Sequence, residues 1–252
     1  MNGFLNLREQ AYLQFQRGLI ARDIRPGQFV SQRELTEITG MPLGAIRELV
    51  LRLEADGLIR TVPQRGIQIR EVDVRLIRDS FGFRLMIERE AAAAFARSAP
   101  DTAFVRLADE HEAVLVAAAR GVTEALIAQA QALDDNMHCD IVDSLGNEMI
   151  SSAYRVNMLK IRLVRQSETI IYANLVVPVM RVHLAVIEAL ASRDARRASA
   201  AMEAHIVGSR DRALGFGDGI PASLMAKAAP KKPAGTRSSR RDDKSAARPR
   251  TT

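Results

Sequence analysis

The chain of 252 residues is long enough for two domains of ordinary size. No uninterrupted apolar run approaches the roughly twenty residues of a membrane helix, and charged residues interrupt the first 19 positions, unlike a signal peptide. A single cysteine, Cys139, excludes an internal disulfide framework and suits a reducing compartment. We therefore expect a cytoplasmic protein without a membrane span. Few aromatic residues and many Ala, Leu, Ile and Val favour a mainly α fold.

The formal net charge of +6 is unevenly distributed along the chain. Residues 227–252 hold nine basic and two acidic side chains, a net charge of +7, so the preceding residues sum to −1. Residues 1–72 carry ten basic and eight acidic side chains, whereas residues 73–226 have a net charge of −3. This distribution has the sign expected if the first part of the chain meets phosphate groups.

The first predicted element is a helix over residues 5–22, ended by the turn at residues 25–27. Its apolar positions recur at helical spacing. We expect its core face to contain Leu5, Tyr12, Phe15, Leu19 and Ile20.

Two short helices are predicted next. Ser31 and Glu34 form a capping box, in which the hydroxyl bonds one backbone amide and the carboxylate returns to the other, so a helix begins here. Gly40 ends this helix, and Pro42 fits the first turn of the second. The second helix has a core face of Ile46, Leu49, Val50 and Leu53.

A hairpin follows the second short helix. Ile59 and Val62 precede a turn at residues 63–66, and Ile67 and Ile69 then alternate with polar residues. Two helices and a hairpin in this order indicate a winged helix-turn-helix, which places one helix in a DNA groove. The alternative is a winged helix that serves purely in protein contacts.

These residues resemble the signature of GntR-family bacterial transcription regulators. The matching motifs are RPGQ at residues 25–28, REL at 33–35, IRE at 46–48, LEADGL at 53–58 and QRG at 64–66. The resemblance implies that Arg33, Arg47, Arg65 and Gly66 contact operator DNA. Without that context, an exposed arginine such as Arg47 is usually a solvated charge.

The sequence departs from the GntR pattern at residues 42–45. The family usually carries a Ser or Thr, often an Arg, and a Pro there, whereas this chain has Leu43 and Gly44. Neither residue can donate a side-chain hydrogen bond to a phosphate or a base edge. We therefore expect operator contacts at the tip of the second helix to differ from those of the family.

The second part of the chain has a helical pattern almost throughout. We predict a bundle of about six helices near residues 74–97, 101–119, 122–145, 147–171, 177–191 and 194–214, with a break within residues 170–178. The predicted organisation is a DNA-binding domain over residues 1–72, an all-helical domain over residues 73–215 and a basic, disordered tail over residues 216–252. The tail either adds salt-sensitive DNA affinity or has no role.

The all-helical part resembles the FCD ligand-binding domain of the FadR subfamily. The resemblance rests on residues 84–88 (RLMIE), 134–138 (DDNMH), 146–147 (GN) and a final region that contains His183, residues 185–190 (AVIEAL), Asp194 and His205. It covers about residues 74–214.

Four of these residues are candidate metal ligands. Asp134 and His138 are four apart, so a helix places both side chains on one face. His183 and His205 lie on two later helices that can pack antiparallel and bring both imidazoles to one level. All four positions match the metal-binding set of the FCD domain, and nitrogen and oxygen ligands of this kind suit a divalent ion such as zinc, nickel or manganese. His111 lies outside the set.

Arg84 is the candidate anchor for an effector. A planar guanidinium binds a carboxylate through two parallel hydrogen bonds. The alternative is an ion pair with Glu88, four residues further along the same helix.

The sequence thus predicts a homodimeric transcription regulator, a repressor that binds an operator and responds to a small carboxylate effector at a metal site. One alternative is a regulator for which the ion itself is the signal. The second is a metal-dependent hydrolase, since three histidines and one aspartate can hold an ion that activates water. No motif supplies the general base that a hydrolase requires, so we expect no enzyme.

Overall fold

The structure is a computed structural model that describes residues 6–167 and 173–216. Within these ranges the chain forms nine α-helices and three short strands. In chain order they are α1 (Leu7–Ala21), β1 (Phe29–Val30), α2 (Gln32–Thr39), α3 (Leu43–Ala55), β2 (Ile59–Val62), β3 (Gly66–Ile69), α4 (Val74–Ser98), α5 (Asp101–Ala118), α6 (Glu124–Asp143), α7 (Glu148–Ser167), α8 (Val176–Ala191) and α9 (Ala195–Ala213). A search of the described helices finds none with the length and apolar character that a bilayer span requires. The predicted fold class, a winged helix-turn-helix followed by an all-α bundle, is confirmed.

The start of the helix-turn-helix is organised by local caps. The Glu34 amide donates to Ser31 Oγ at 3.1 Å, and the Ser31 amide donates to the Glu34 carboxylate at 2.7 Å, so the predicted capping box is present. Gly40 follows α2 with φ +66°, in the left-handed region that favours glycine. The α3 helix then begins after Pro42 and buries the four apolar residues predicted for its core face.

The wing contains a strand that the sequence did not reveal. The sheet has the order β1-β3-β2, all antiparallel, and β1 pairs with the central strand through Val30 and Ile67. Two residues are too few to show alternation, so the pattern rules miss β1. Gln68, a polar residue of the predicted alternation, is buried, and its side-chain amide is satisfied by a hydrogen bond accepted from Arg60 at 2.7 Å and one donated to Glu71 at 2.5 Å.

One residue of the first predicted core face is wrongly assigned. Tyr12, Phe15 and Leu19 are buried as expected, but Ile20 is 58% exposed. Tyr12, Phe15 and Leu19 lie within about 60° of one another around α1, whereas Ile20 lies about 100° from Leu19, beyond the edge of that face. Leu5 lies outside the described residues.

The bundle helices form where the pattern predicts them, with small differences at their ends. The predicted end of α7 and the start of the break fall on residues 168–172, outside the described residues. Pro178 lies within α8 at its third residue, where the missing N–H would have no intrahelical partner.

The α7 helix belongs to two cores. On one side it packs on α4 and α6 of the bundle. On another side Leu159 and Leu163, each 1% exposed, pack into the apolar core of the winged unit. Gln166 Nε2 also donates to the carbonyl oxygen of Leu19 near the end of α1, at 2.5 Å. The α7 helix therefore connects the winged unit directly to the interior of the bundle.

Candidate metal centre

Three helices bring the four predicted metal ligands together. Asp134 and His138 lie one turn apart on α6, His183 lies on α8 and His205 on α9. All four are buried, and each offers a ligand atom within 4.8 Å of the others. Residues that are far apart in the sequence therefore form a compact cluster inside the bundle.

The donor atoms of this cluster lie close enough to share an ion. His183 Nε2 is 3.1 Å from Asp134 Oδ1, and His138 Nε2 is 3.1 Å from His205 Nε2. His138 Nε2 lies 3.9 Å from the same Asp134 oxygen. Two ligands bound to one zinc ion at about 2.0–2.2 Å are separated by about 3–4 Å, so the donor set fits a small divalent ion.

Two buried ring nitrogens of the cluster, His138 Nδ1 and His183 Nε2, lack a well-aligned hydrogen bond within the described residues. His183 Nε2 has no hydrogen-bond partner within the described parts of the chain, although the Asp134 oxygen is nearby. A buried polar atom without a partner is costly. A cation between this nitrogen and the carboxylate would satisfy both atoms.

Burial keeps His183 and His205 in the form that binds metals. Desolvation lowers the pKa of His183 to about 4 and lowers that of His205 well below its usual range. Burial raises the pKa of Asp134, but the Arg165 charge and the neighbouring histidines outweigh this effect and hold that pKa well below its usual range. The interior therefore presents two neutral imidazoles, of His183 and His205, and the ionised Asp134 carboxylate, as metal coordination requires.

Glu88 of α4 connects the cluster to Arg84. Its carboxylate accepts hydrogen bonds from Arg84 Nε at 2.5 Å and from the Tyr154 hydroxyl at 2.7 Å, and it lies 2.5 Å from His138 Nδ1. Burial raises the pKa of Glu88, but Arg84 and His138 outweigh it and hold that pKa at about 2. The ionised Glu88 therefore orients the His138 ring with Nε2 toward the cluster.

Arg84 is fully buried and forms the ion pair that was its alternative interpretation. The pair occupies Nε and Nη2, whereas the buried Nη1 has no hydrogen-bond partner among residues 6–167 and 173–216. The guanidinium therefore keeps one donor group that a bound anion could use.

A second group of charges holds Asp134 from the α7 side. Arg165 donates from Nη2 to Asp134 and from Nη1 to Asp135 at 2.8 Å, and Arg162 donates to Asp135 at 2.9 Å. Sequence reasoning foresaw the pairing of Glu88 with Arg84 as an alternative, but it missed the roles of Arg165 and Tyr154 and the contact of Glu88 with His138. The available signal was an arginine pair three residues apart on a helix opposite two adjacent aspartates.

The predicted DNA-contacting residues all lie on the winged unit. Arg33 on α2 is exposed and 3.3 Å from Glu37, and Arg47 on α3 is exposed. The Arg65 guanidinium lies over the Phe29 ring at 4.1 Å.

Gly66 has a structural reason of its own. Its φ is +94°, and a Cβ at this position would lie 3.0 Å from the carbonyl oxygen of Val30. The turn and the approach of β1 therefore both require glycine here.

A winged helix-turn-helix followed by an all-helical bundle is the architecture of DNA-binding transcription regulators of the GntR type, and the proteins that this chain resembles are regulators rather than enzymes. Residues 79–208, slightly more than half of the chain, match the FCD domain, and the chain belongs to that family. It is 23% identical over 208 residues to the HTH-type transcriptional repressor RspR of Escherichia coli K12, an alignment that covers 79% of this chain and 86% of the relative.

Solved structures share the fold. A structure described as a GntR transcriptional regulator from Rhodococcus sp. RHA1 has a TM-score of 0.66 at 15% identity and covers 82% of this chain and 98% of its own. Escherichia coli McbR/YncC has a TM-score of 0.64 at 17% identity and covers 84% and 99%. None of these comparisons supports a metal-dependent hydrolase.

Proposed function

We propose that the protein is a homodimeric repressor whose bundle binds a divalent metal ion through Asp134, His138, His183 and His205. The observation that carries this proposal is the unpartnered, buried His183 Nε2 beside an ionised carboxylate oxygen. Nitrogen and oxygen ligands in this ratio suit zinc, nickel or manganese. A bound ion would supply positive charge and open coordination positions for an anionic effector.

Metal analysis of the purified full chain, after reconstitution with zinc, tests this site. We expect about one ion per chain in the wild type and none in Asp134→Asn, which keeps the shape of the side chain but removes its charge. Asp140→Asn is the matched control, because Asp140 lies on the same helix but is bound to Arg106 at the surface. Equal zinc affinity of the wild type and Asp134→Asn would contradict the proposal.

The effector is proposed to be a small organic acid held by Arg84. Glu88 leaves Arg84 Nη1 without a partner in the described structure, and an effector carboxylate can accept a hydrogen bond from it. A thermal-shift screen of small carboxylic acids, with and without zinc, tests this role. We expect a stabilising acid that requires zinc and loses its effect in Arg84→Lys, which keeps the charge but not the fork of donors.

Operator-binding measurements with the same acids, with and without zinc, separate the two regulatory hypotheses. If zinc alone changes operator affinity and no acid adds to the change, the ion itself is the signal. If an acid raises the Tm of Arg84→Lys as much as that of the wild type, Arg84 is not the anchor.

DNA binding is assigned to Arg33, Arg47, Arg65 and Gly66 on the winged unit. Operator reading by a helix-turn-helix dimer uses two half-sites, so light scattering should give twice the chain mass of 27.7 kDa. If Arg47 contacts a base, Arg47→Ala should lose about 1–3 kcal/mol of specific binding. The control is Arg155→Ala, which removes an exposed arginine of the bundle.

Signal transfer is proposed to run through α7. Arg165 holds Asp134 on one side of this helix, and Leu163 packs in the winged core on another. Effector binding then favours a dimer geometry in which the two α3 helices no longer match the operator spacing.

The proposed route can be tested without removing a charge. Arg165→Lys keeps one ion pair but cannot bridge Asp134 and Asp135 together, whereas Arg162→Lys alters only the Asp135 contact. We expect the change in operator affinity on adding zinc and effector to shrink in Arg165→Lys and to persist in Arg162→Lys. The same response in both variants would exclude Arg165 from the route.

The domain limits of residues 1–72, 73–215 and 216–252 remain part of the proposal, as does a location in the cytoplasm, where an operator-binding protein meets its DNA. Residues 217–252 lie outside the described structure. Their contribution to DNA affinity is tested by comparing the salt dependence of operator binding with and without residues 227–252.

A further inference from the structure

His111 was set apart from the metal ligands in the sequence, but the structure places it directly behind one of them. It lies on α5 and is completely buried. Its Nδ1 is 2.7 Å from the carbonyl oxygen of Leu107, and its Nε2 is 3.1 Å from Nδ1 of His183. The ring therefore links a fixed backbone group to a candidate metal ligand.

The donor and acceptor roles in this series of hydrogen bonds follow from the Leu107 carbonyl at its end. A carbonyl oxygen can only accept, so His111 Nδ1 carries the proton and donates to Leu107. A neutral imidazole has one N–H, so His111 Nε2 is an acceptor. His183 Nδ1 must then donate to it, which leaves His183 Nε2 with a free lone pair directed toward Asp134.

We propose that His111 is a positioning residue that fixes His183 in the tautomer with Nε2 free to bind the metal ion. This inference rests on the metal site proposed above. Histidine ligands commonly donate their second N–H to a carboxylate or a backbone carbonyl. His138 Nδ1 lies 2.5 Å from the carboxylate of Glu88, whereas His183 reaches a carbonyl through His111.

The opposite assignment produces a conflict. If His183 Nε2 carried the proton and donated to Asp134, His183 Nδ1 would be an acceptor and His111 would have to donate from Nε2. The lone pair of His111 Nδ1 would then face the Leu107 oxygen at 2.7 Å in a buried site. Two acceptors at this distance repel, and burial removes the water that could relieve them. In the proposed tautomer His183 Nε2 and the Asp134 oxygen are also two acceptors, but they lie farther apart, at 3.1 Å, and a cation bound between them would remove their repulsion.

Two substitutions distinguish the role of His111 Nδ1 from that of His111 Nε2. Asn at this position places its amide near the Nδ1 position, so His111→Asn can still donate to Leu107 but offers nothing to His183. Gln reaches the Nε2 position, so His111→Gln can accept the His183 proton through its amide oxygen. We measure zinc affinity of the full chain by competition with a chromophoric chelator.

The expected pattern is specific for positioning. His111→Asn should weaken zinc binding about 10- to 100-fold, the usual cost of losing an outer partner of a metal ligand. His111→Gln should bind within about threefold of the wild type, because the acceptor is restored. Asp134→Asn, which removes a proposed ligand, should abolish binding.

Long-range proton–nitrogen NMR of the metal-free wild type provides the second measurement, which needs no variant to fold. It should show both His111 and His183 with the proton on Nδ1. A proton on Nε2 of His183 overturns the inference. If the wild type binds zinc and His111→Asn binds it with the same affinity, the inference is overturned too, and the proposed metal site is left intact. A wild type that binds no zinc refutes the proposed function instead, and the NMR result then decides the tautomer independently.

Discussion

Two ion pairs in this chain differ in burial but not in spacing. Arg84 and Glu88 on α4, and Arg106 and Glu110 on α5, are both pairs four residues apart. The first pair is completely buried, whereas the side chains of the second are 49% and 42% exposed. The substitutions Glu88→Gln and Glu110→Gln therefore make the same chemical change in two dielectric environments.

The expected loss of unfolding free energy differs several-fold between Glu88→Gln and Glu110→Gln. Glu88→Gln leaves the Arg84 guanidinium in a dry interior without a counter-charge, which costs about 3–5 kcal/mol of unfolding free energy. The pKa of Glu88, lowered from 4.5 to about 2, gives a consistent figure of about 3 kcal/mol. An exposed pair four residues apart contributes about 0.3–0.5 kcal/mol, so Glu110→Gln should be nearly neutral.

Urea unfolding followed by circular dichroism measures both values. The full-length variants are compared at one protein concentration, because a dimer's stability depends on it, and in a chelator, so that metal binding does not contribute. Tyr154→Phe is a further control that removes one hydrogen bond to Glu88 and keeps the charge, with an expected loss of about 1–3 kcal/mol. Equal losses for Glu88→Gln and Glu110→Gln would refute the assignment of the cost to an unpaired buried charge.

Four further outcomes can be measured in the same way. Ser31→Ala removes the hydroxyl of the capping box and should lower the unfolding free energy by about 1 kcal/mol; no change would mean that the box is dispensable. Gly66→Ala should cost about 1–2 kcal/mol or more, because the residue has positive φ and lies against the Val30 carbonyl; a neutral result would show that the wing adapts. Leu163→Ala should cost about 2–5 kcal/mol and make the winged unit unfold at lower urea than the bundle; a single unshifted transition would contradict the shared core. Burial and Asp56 raise the pKa of Tyr12 to about 12, so the folded state keeps the neutral phenol and stability should fall as pH rises from 10 to 12; an equal fall in Tyr12→Phe would assign the effect elsewhere.

The predictions that succeeded depend on neighbours along the chain. The capping box joins Ser31 to Glu34, and the core face of α3 repeats every three or four residues, so both are visible in a short window of sequence. Asp134 and His138 share a helix face for the same reason. Their meeting with histidines of two later helices was suggested by the family resemblance and not by periodicity.

The features that were missed depend on contacts between distant segments. Tyr154 reaches Glu88 across 66 residues, and Arg165 reaches Asp134 across 31. A buried arginine and a solvated one look alike in a sequence, because the distinguishing carboxylate lies on another element. His111 was set aside for the same reason, since only the packing of α5 on α8 shows that it contacts a candidate ligand.

The α7 helix shows why the contacts of its arginines cannot be predicted from a single apolar stripe. Leu159 and Leu163 define its face toward the winged core, whereas Arg162 and Arg165 lie about 110° away and face the aspartates of α6. A pattern rule assigns the leucines to the core and the arginines to solvent, yet both faces are covered. In the signal route proposed above, an adjustment of Asp134 that moves Arg165 would also change the packing of Leu163, because one helix carries both faces. The partial burial of the arginines on one face and the full burial of the leucines on the other therefore give the bundle a physical connection to the winged unit.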